Sequence, residues 1–417
     1  MKILLVVHQF LPRHRTGTEI YTYSLAKELS QRHKVYLFYR EEGHVGRRPA
    51  EEDGEFNGLK VRKVYLNQPA DPCHQFLATF KNRAVERSFA VLLDRVKPDI
   101  VHIQHLMNLS GGLVFIAKRR GIPVLMTLHD YWFLCANAQL VRPDRQVCRG
   151  TRLRLECADC AAARLNQPWV RLLRPLLALL FLWRDAYLQK VIHEVDLFIA
   201  PSLFLREKYI AAGVPERKIV HLEHGLDLRR VRASRRKDRT GVRFGYLGSL
   251  AWQKGVHVLI EAFNGIADDS AELWIYGDPS VFPDYVRHLR ELAANPCIRF
   301  RGRVDGEDIG SALSELDVLV VPSLWYENSP LVIQEAFAAK VPVIASNLGA
   351  LAEKVHHGLN GLLFPPGDAA SLREVLQRVV KEPAILQYLR ANIQPVKGME
   401  EHGREIEALY KRLKEGR

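Results

Sequence analysis

Nowhere in its 417 residues does the chain string together the roughly twenty consecutive apolar residues that a membrane-spanning helix needs. Nor does it open with a secretory signal: Met1-Lys2 runs straight into the strand-like Ile3 to Val7, so the expected location is the cytoplasm. Cysteine is sparse, at six, and in a reducing compartment such thiols are free or hold a metal rather than pair as disulfides. Paired zinc-finger spacings and aromatic-basic RNA-binding segments are missing, which argues against a nucleic-acid partner. Neither half carries Gly-x-Gly-x-x-Gly, which argues against a nicotinamide dehydrogenase.

What is present is a globular composition, 47% hydrophobic and 26% charged, in a chain too long for one ordinary core. Two domains with a cleft between them are expected. Lysine and arginine total 60 against 47 acids, a net charge of +13 with a pI near 9.5. That positive field suits anionic partners such as nucleotide sugars or an anionic lipid surface. Short β-branched runs alternate with amphipathic stretches, the pattern of parallel βαβ units. Strands are expected at Ile3 to Val7, Lys34 to Tyr39, Leu59 to Tyr65 and Val124 to Leu128, with a helix over Gln75 to Val96. A basic linker from Arg229 to Thr240 carries seven arginines or lysines and no apolar periodicity.

Past the linker, one stretch organises the rest: Asp317 to Ser346 reads as strand, loop, helix and strand. Val318 to Val321 and Val341 to Ala345 are the strands. Ser329 and Pro330 have the N-cap and first-turn chemistry of a helix that Leu331 to Ala339 fill. In a parallel sheet the loop leaving a strand's carboxyl end faces the ligand crevice, and a helix N-terminus offers unpaired amides to an anion such as phosphate. Glu327 and Glu335 flank that point. Alone, the two acids read as a solvated loop residue and a helix-surface residue.

The stretch resembles the Glu-x7-Glu signature of retaining glycosyltransferases of family 4, and the similarity extends over most of the chain. The resemblance implies an α/β architecture of the GT-B type, two Rossmann-like domains with parallel sheets facing a central cleft. Residues 1–228 would form the acceptor-side domain, with a cysteine-containing insertion at 135–160. After the linker at 229–240, residues 241–395 would bind the donor, and a helix within 396–417 would cross back to the first domain. On the same basis Glu335 holds the ribose hydroxyls of a sugar nucleotide, Glu327 lies at the donor sugar, and the backbone of Asn328, Ser329, Pro330 and Leu331 holds the diphosphate.

Three further positions match. Gly17 stands where relatives have a glycine-rich turn near donor and acceptor, although Thr18 replaces a second glycine; a glycine needed only for a left-handed turn is the alternative. The segment Thr127-Leu128-His129-Asp130 is common in the family, which implies that His129 hydrogen-bonds the donor sugar; a loop-stabilising histidine is the alternative. Gly248 permits close backbone approach, and Lys254 is placed to meet the diphosphate as a point charge. The activity implied is transfer of a sugar from a UDP-, GDP- or ADP-sugar to a sugar or lipid-linked hydroxyl acceptor, with retention and no catalytic metal, in synthesis of cell-surface polysaccharide, lipopolysaccharide or glycolipid. A nucleotide-sugar epimerase and a non-catalytic sugar-nucleotide-binding protein are the competing readings.

Two segments fall outside that pattern. Cys135, Cys148, Cys157 and Cys160, in a polar, arginine-rich loop, suggest a structural tetrahedral zinc, with free thiols as the alternative. Trp169 to Val195 is apolar and arginine-bearing. It is expected to be a helix buried between layers of the first domain; the other reading is an in-plane patch on the inner face of the membrane. His102 and His105 sit on opposite faces of a strand, so they do not pair as metal ligands.

Overall fold

A computed structural model describes all residues except 44–49, 68–70, 151–152, 166–167, 232–240, 268–269, 307 and 417, and most of the basic linker lies outside the described residues. The chain divides into two compact units, Met1–His224 with Met399–Arg417, and Gly225–Gly398.

The first unit is built on eight strands: β1 (Lys2–Val6), β2 (Lys34–Glu42), β3 (Ala50–Phe56), β4 (Leu59–Leu66), β5 (Ile100–Ile103), β6 (Val124–Thr127), β7 (Leu197–Ala200) and β8 (Ile219–His221). They lie in the order β3-β4-β2-β1-β5-β6-β7-β8, parallel except for the β3–β4 pair. The central strands are apolar on both faces because helices cover both. β3 has no apolar alternation to announce it. It is fastened instead by charge, with Arg62 reaching Glu51 and Asp53 at 2.8 Å each. The expected helix over Gln75 to Val96 is two helices, Pro72–Ala78 and Arg83–Val96, because Asn82 caps the second by accepting from the amides of Ala84 and Val85.

The helix Met399–Glu415 packs on this first unit, where Ile406 and Tyr410 are fully buried. Tyr21 Oη pairs with His402 Nε2 at 2.7 Å, and Tyr410 Oη with His102 Nδ1 at 2.7 Å. His102 therefore faces the core.

The second unit holds six parallel strands, β9 (Val242–Leu247), β10 (Ala271–Tyr276), β11 (Ile298–Gly302), β12 (Val318–Val321), β13 (Val343–Ser346) and β14 (Gly361–Phe364), in the order β11-β10-β9-β12-β13-β14. The division between units falls after His224 rather than after Leu228. Leu226 forms a parallel bridge to Gly398, and Val231 is buried in the second unit's core.

The Trp169 to Val195 segment departs from expectation. It forms a 3-10 turn, Pro168–Leu173, and a helix, Arg174–Glu194. One face of that helix is buried through Ala178, Phe181, Leu188 and Ile192, but the other is not covered: Leu176 is 62% exposed and Leu179 64%, and Leu172 in the turn before it is 83% exposed. An apolar run that circles a helix does not say which side a neighbour will cover. Among the described residues no helix is long and apolar enough to cross a membrane.

Candidate functional site

Strand order reverses once in each sheet, and in open α/β sheets the crevice for a ligand lies outside the carboxyl ends of the strands at that reversal. In the second unit the reversal is between β9 and β12. Lys254 follows β9, in the 3-10 turn Trp252–Lys254, and Glu327 follows β12. The two meet, with Lys254 Nζ donating to Glu327 Oε1 at 2.6 Å. Ser323 Oγ and Trp325 Nε1 donate to the same oxygen at 2.8 and 2.9 Å. Three donors on one atom fix the carboxylate, and Lys254 Nζ also lies 5.2 Å from the centre of the Trp325 ring.

Gly255 makes that meeting feasible. Its φ is +70°, and a Cβ there would stand 1.9 Å from the carbonyl oxygen of Pro322. The two loops touch backbone to backbone, tied by Leu324 N donating to Gln253 O at 2.8 Å. Gly248, at the end of β9, donates its amide to Tyr276 O at 3.2 Å. Gly277 packs close to it: a Cβ on Gly277 would stand 2.5 Å from Gly248 O.

The helix after β12 runs Leu331–Ala338 and starts one residue later than the sequence suggests, with Pro330 rather than Ser329 at its N-cap and no side-chain cap. Ser329 Oγ is buried without a hydrogen-bond partner among the described residues. The first turn thus leaves the amides of Leu331 and Val332 unmatched by a capping side chain, beside a buried hydroxyl. Asn328 adjoins it. Glu335, one turn further, is buried, and loss of water raises its pKa while Arg230 pulls it down. Arg230 Nη1 lies 4.0 Å from Glu335 Oε1. The sequence pattern puts that arginine in the linker, whereas here it stands within the second unit.

In the first unit the reversal is between β1 and β5. His8 follows β1, Gln104 and His105 follow β5, and His129 follows β6. The rings of His8 and His105 are 4.4 Å apart, and His105 Nε2 donates to Asp130 Oδ2 at 2.6 Å. His129 Nε2 donates to Gln104 Oε1 at 2.9 Å, and its ring stacks on His224 at 5.1 Å, beside Tyr21. Burial first, and neighbouring histidines second, push His8 and His129 well below the ordinary imidazole value, so both are neutral at pH 7. Gly17 is the first residue of the helix Gly17–Ser30 and does not adopt a left-handed conformation, so a left-handed turn is not what requires it.

Cys135 ends a turn by donating its amide to Tyr131 O, and Cys148 leaves a hairpin closed by the Val141–Val147 bridge. Cys157 and Cys160 lie on a helix, Leu155–Leu165, rather than in a loop, three residues apart and so on one face. All four are free and half-buried. Burial pushes the Cys160 thiol up to about 12, with the other three thiols adding to the shift. Among the described residues no group of three or more His, Cys, Asp or Glu is arranged to hold a metal ion. A shallow cavity lined by Leu93, Lys97, Arg120 and Lys414 lies at the amino ends of β5 and β6, the wrong end of the sheet for the ligand crevice.

Sequence reasoning missed Ser323, Trp325, Gly255 and Arg230. The first three stand within four residues of Glu327 or next to Lys254, which is the signal that could have found them. For Arg230 there was none, since a basic run reads as a solvated segment.

Comparison with known proteins follows the same division. The family described as "Glycosyltransferase Family 4" matches residues 15–230, and "Glycosyl transferases group 1" matches residues 241–382. A glycogen synthase of Mycobacterium tuberculosis is 32% identical over 203 residues, 47% of this chain and 48% of that protein. The match thus spans about half the length of that relative. Among solved structures, a sucrose-phosphate synthase from Thermosynechococcus elongatus superposes with a TM-score of 0.72 at 20% identity, covering 100% of both chains. HepE of Anabaena, solved in complex with UDP and glucose, gives 0.66 at 18% identity over 99% of this chain and 100% of that one. The fold is GT-B, two Rossmann-like α/β units.

Proposed function

The chain belongs to glycosyltransferase family 4, and from that membership we propose that it moves a sugar from a nucleotide-sugar donor to a hydroxyl acceptor with retention of configuration. The observation that carries this reading is the Lys254–Glu327 pair, set at the strand reversal of the second unit beside the start of the Leu331–Ala338 helix. We assign the donor diphosphate to Lys254, to the amides at Leu331 and to the Ser329 hydroxyl, with Gly248 allowing close backbone approach. An ammonium has three hydrogens, so Lys254 can keep its bond to Glu327 while it meets a phosphate oxygen. Glu335 accepts from the vicinal ribose hydroxyls, as a carboxylate can. Glu327 is assigned to the sugar; family membership suggests a donor-sugar hydrogen bond for neutral His129 and a place near donor and acceptor for Gly17.

Chemistry follows from where charge develops. As the diphosphate leaves, its negative charge grows beside a lysine and a helix N-terminus, a preorganised positive environment that makes a metal unnecessary in this scheme. The positive charge growing on the sugar meets the Glu327 carboxylate. The acceptor attacks on the face that the diphosphate leaves. A sugar or lipid-linked acceptor of cell-surface glycan synthesis follows from the same resemblance. Metal enters only as structure: among the described residues the four cysteines are not arranged around a metal, and we propose that a zinc, when bound, draws Cys135 and Cys148 to Cys157 and Cys160, which already share one helix face.

The test is a thermal-shift panel of UDP-, GDP- and ADP-sugars, followed by transfer or slow hydrolysis of the best donor with the anomer read by NMR. One donor is expected to stabilise the protein by about 2.7 kcal/mol at a hundredfold excess over Kd. Its product should keep the donor's anomeric configuration. Inversion would refute retention, and a panel with no stabilising donor would refute the donor site. An epimerised sugar nucleotide formed without acceptor would replace transfer by epimerisation.

A further inference from the structure

The exposed apolar face of residues 169–183 is unlike the rest of the surface. Trp169, Leu172, Leu176, Leu179 and Trp183 follow one another at intervals of three and four, so they form one stripe along the 3-10 turn and the first half of the Arg174–Glu194 helix. All five are more than 40% exposed. Nine of the sixteen large hydrophobics most exposed among the described residues lie between Leu153 and Trp183. Singly exposed leucines need no explanation, but a contiguous stripe of this kind marks a contact surface.

Charge identifies the contact. From Ala161 to Arg184 the chain has four arginines and no acid. Arg184 is buried, while Arg171 and Arg174, on the elements that carry the stripe, are exposed, as is Arg164 on the preceding helix Leu155–Leu165. Asp159 reaches Arg174 at 3.0 Å and Arg171 at 4.0 Å, and so offsets one of the three charges. A second copy of the chain is a poor occupant. In a two-fold dimer the same patch meets itself, which would set arginine against arginine. A negatively charged, apolar-cored surface answers both the stripe and the arginines.

We propose that this face lies on an anionic lipid bilayer, with the Trp169–Trp183 stripe sunk at the level of the headgroups and Arg164, Arg171 and Arg174 on the phosphates. The helix lies in the plane of the membrane and does not cross it, as its charged residues require. This docking does not rest on sugar transfer, and it is read without donor or acceptor, so either can fail alone.

The experiment is co-sedimentation of the full chain with phosphatidylcholine vesicles, with and without phosphatidylglycerol, at low and high salt. Binding to the anionic vesicles at low salt, weakened by salt, is expected. Arg171→Ser with Arg174→Ser should lower the partition coefficient roughly thirty-fold, from two lost lysine- or arginine-type contacts. Leu176→Ser with Leu179→Ser should abolish binding while the circular-dichroism melt stays unchanged. Failure of the wild type to sediment at low salt would overturn the proposal. So would retained binding in the leucine variant, or a dimer in analytical ultracentrifugation that the leucine variant dissolves.

Discussion

Lys254→Met together with Glu327→Gln gives a double-mutant cycle on the pair that joins β9 to β12. The pair is 2.6 Å apart, with the two side chains 25% and 9% exposed, so solvent screens it only in part. A hydrogen bond to a charged group contributes about 1.5–3 kcal/mol. Losing the lysine leaves Glu327 with two neutral donors, Ser323 and Trp325. The second unit should therefore melt several degrees lower in Lys254→Met, at about 2–4 °C per kcal/mol for a body of this size. Glu327→Gln also lacks the charge, so the two losses should overlap with a coupling of about 1–3 kcal/mol. In catalysis the same lysine is assigned to the leaving diphosphate, and Lys254→Met should lower kcat/KM ten-fold or more. Calorimetry of the four proteins measures the first effect, and steady-state transfer the second. Coupling below about 0.5 kcal/mol would show the two residues to be energetically independent. Unchanged kcat/KM in Lys254→Met would remove the lysine from the reaction.

Four other outcomes are expected. Glu335→Gln should raise KM for the donor about ten-fold or more with a smaller change in kcat; because burial raises the Glu335 pKa, donor affinity in the wild type should start to fall with acidification above the usual carboxylate range, and that dependence should vanish in the variant, as isothermal titration would show. Gly255→Ala should destabilise the second unit by at least about 2 kcal/mol in denaturant titration, since both its φ and the Pro322 carbonyl oppose a side chain. His8, His102 and His129 have depressed values in the folded chain, His102 at about 3, so the unfolded chain binds more protons below its ordinary imidazole value of about 6.5; their contribution is fully present above that pH and is lost as pH falls below it, and melting of the first unit followed by circular dichroism at stepped pH would check it. Metal analysis of untagged protein should return one zinc per chain that Cys157→Ser with Cys160→Ser abolishes, and a stoichiometry near zero would leave the four cysteines as thiols.

Much of this was legible in the sequence because it is local. The strand Val318 to Val321, the loop and the helix from Leu331 declare themselves through β-branched residues, a proline and good helix formers within some twenty positions. Glu327 and Glu335 are fixed by that same local frame. The bond from Lys254 to Glu327 is not local: it joins residues 73 positions apart, and only the β9–β12 neighbour relation brings them together. Arg230 was hidden by its basic neighbours, and β3 by having charges where strands usually alternate. The helix carrying Cys157 and Cys160 rests on four alanines, good helix formers that its cysteine- and arginine-rich surroundings mask. For the Arg174–Glu194 helix, hydrophobicity gave the element but not its uncovered side.

The return of the Met399–Glu415 helix to the first unit has a consequence for the order in which the molecule can be made. Tyr410 is the hydrogen-bond partner of His102 Nδ1, which precedes it by 308 residues, and His402 is a partner of Tyr21, which precedes it by 381. A ribosome that has finished every strand of the first sheet has not yet made these partners, and it must first deliver the whole of the second unit. The second unit can close as an uninterrupted stretch, while the first waits with polar groups of its core unmatched. Synthesis from the amino end therefore completes the later body before the earlier one, and a chain released even twenty residues short would leave the earlier body unfinished.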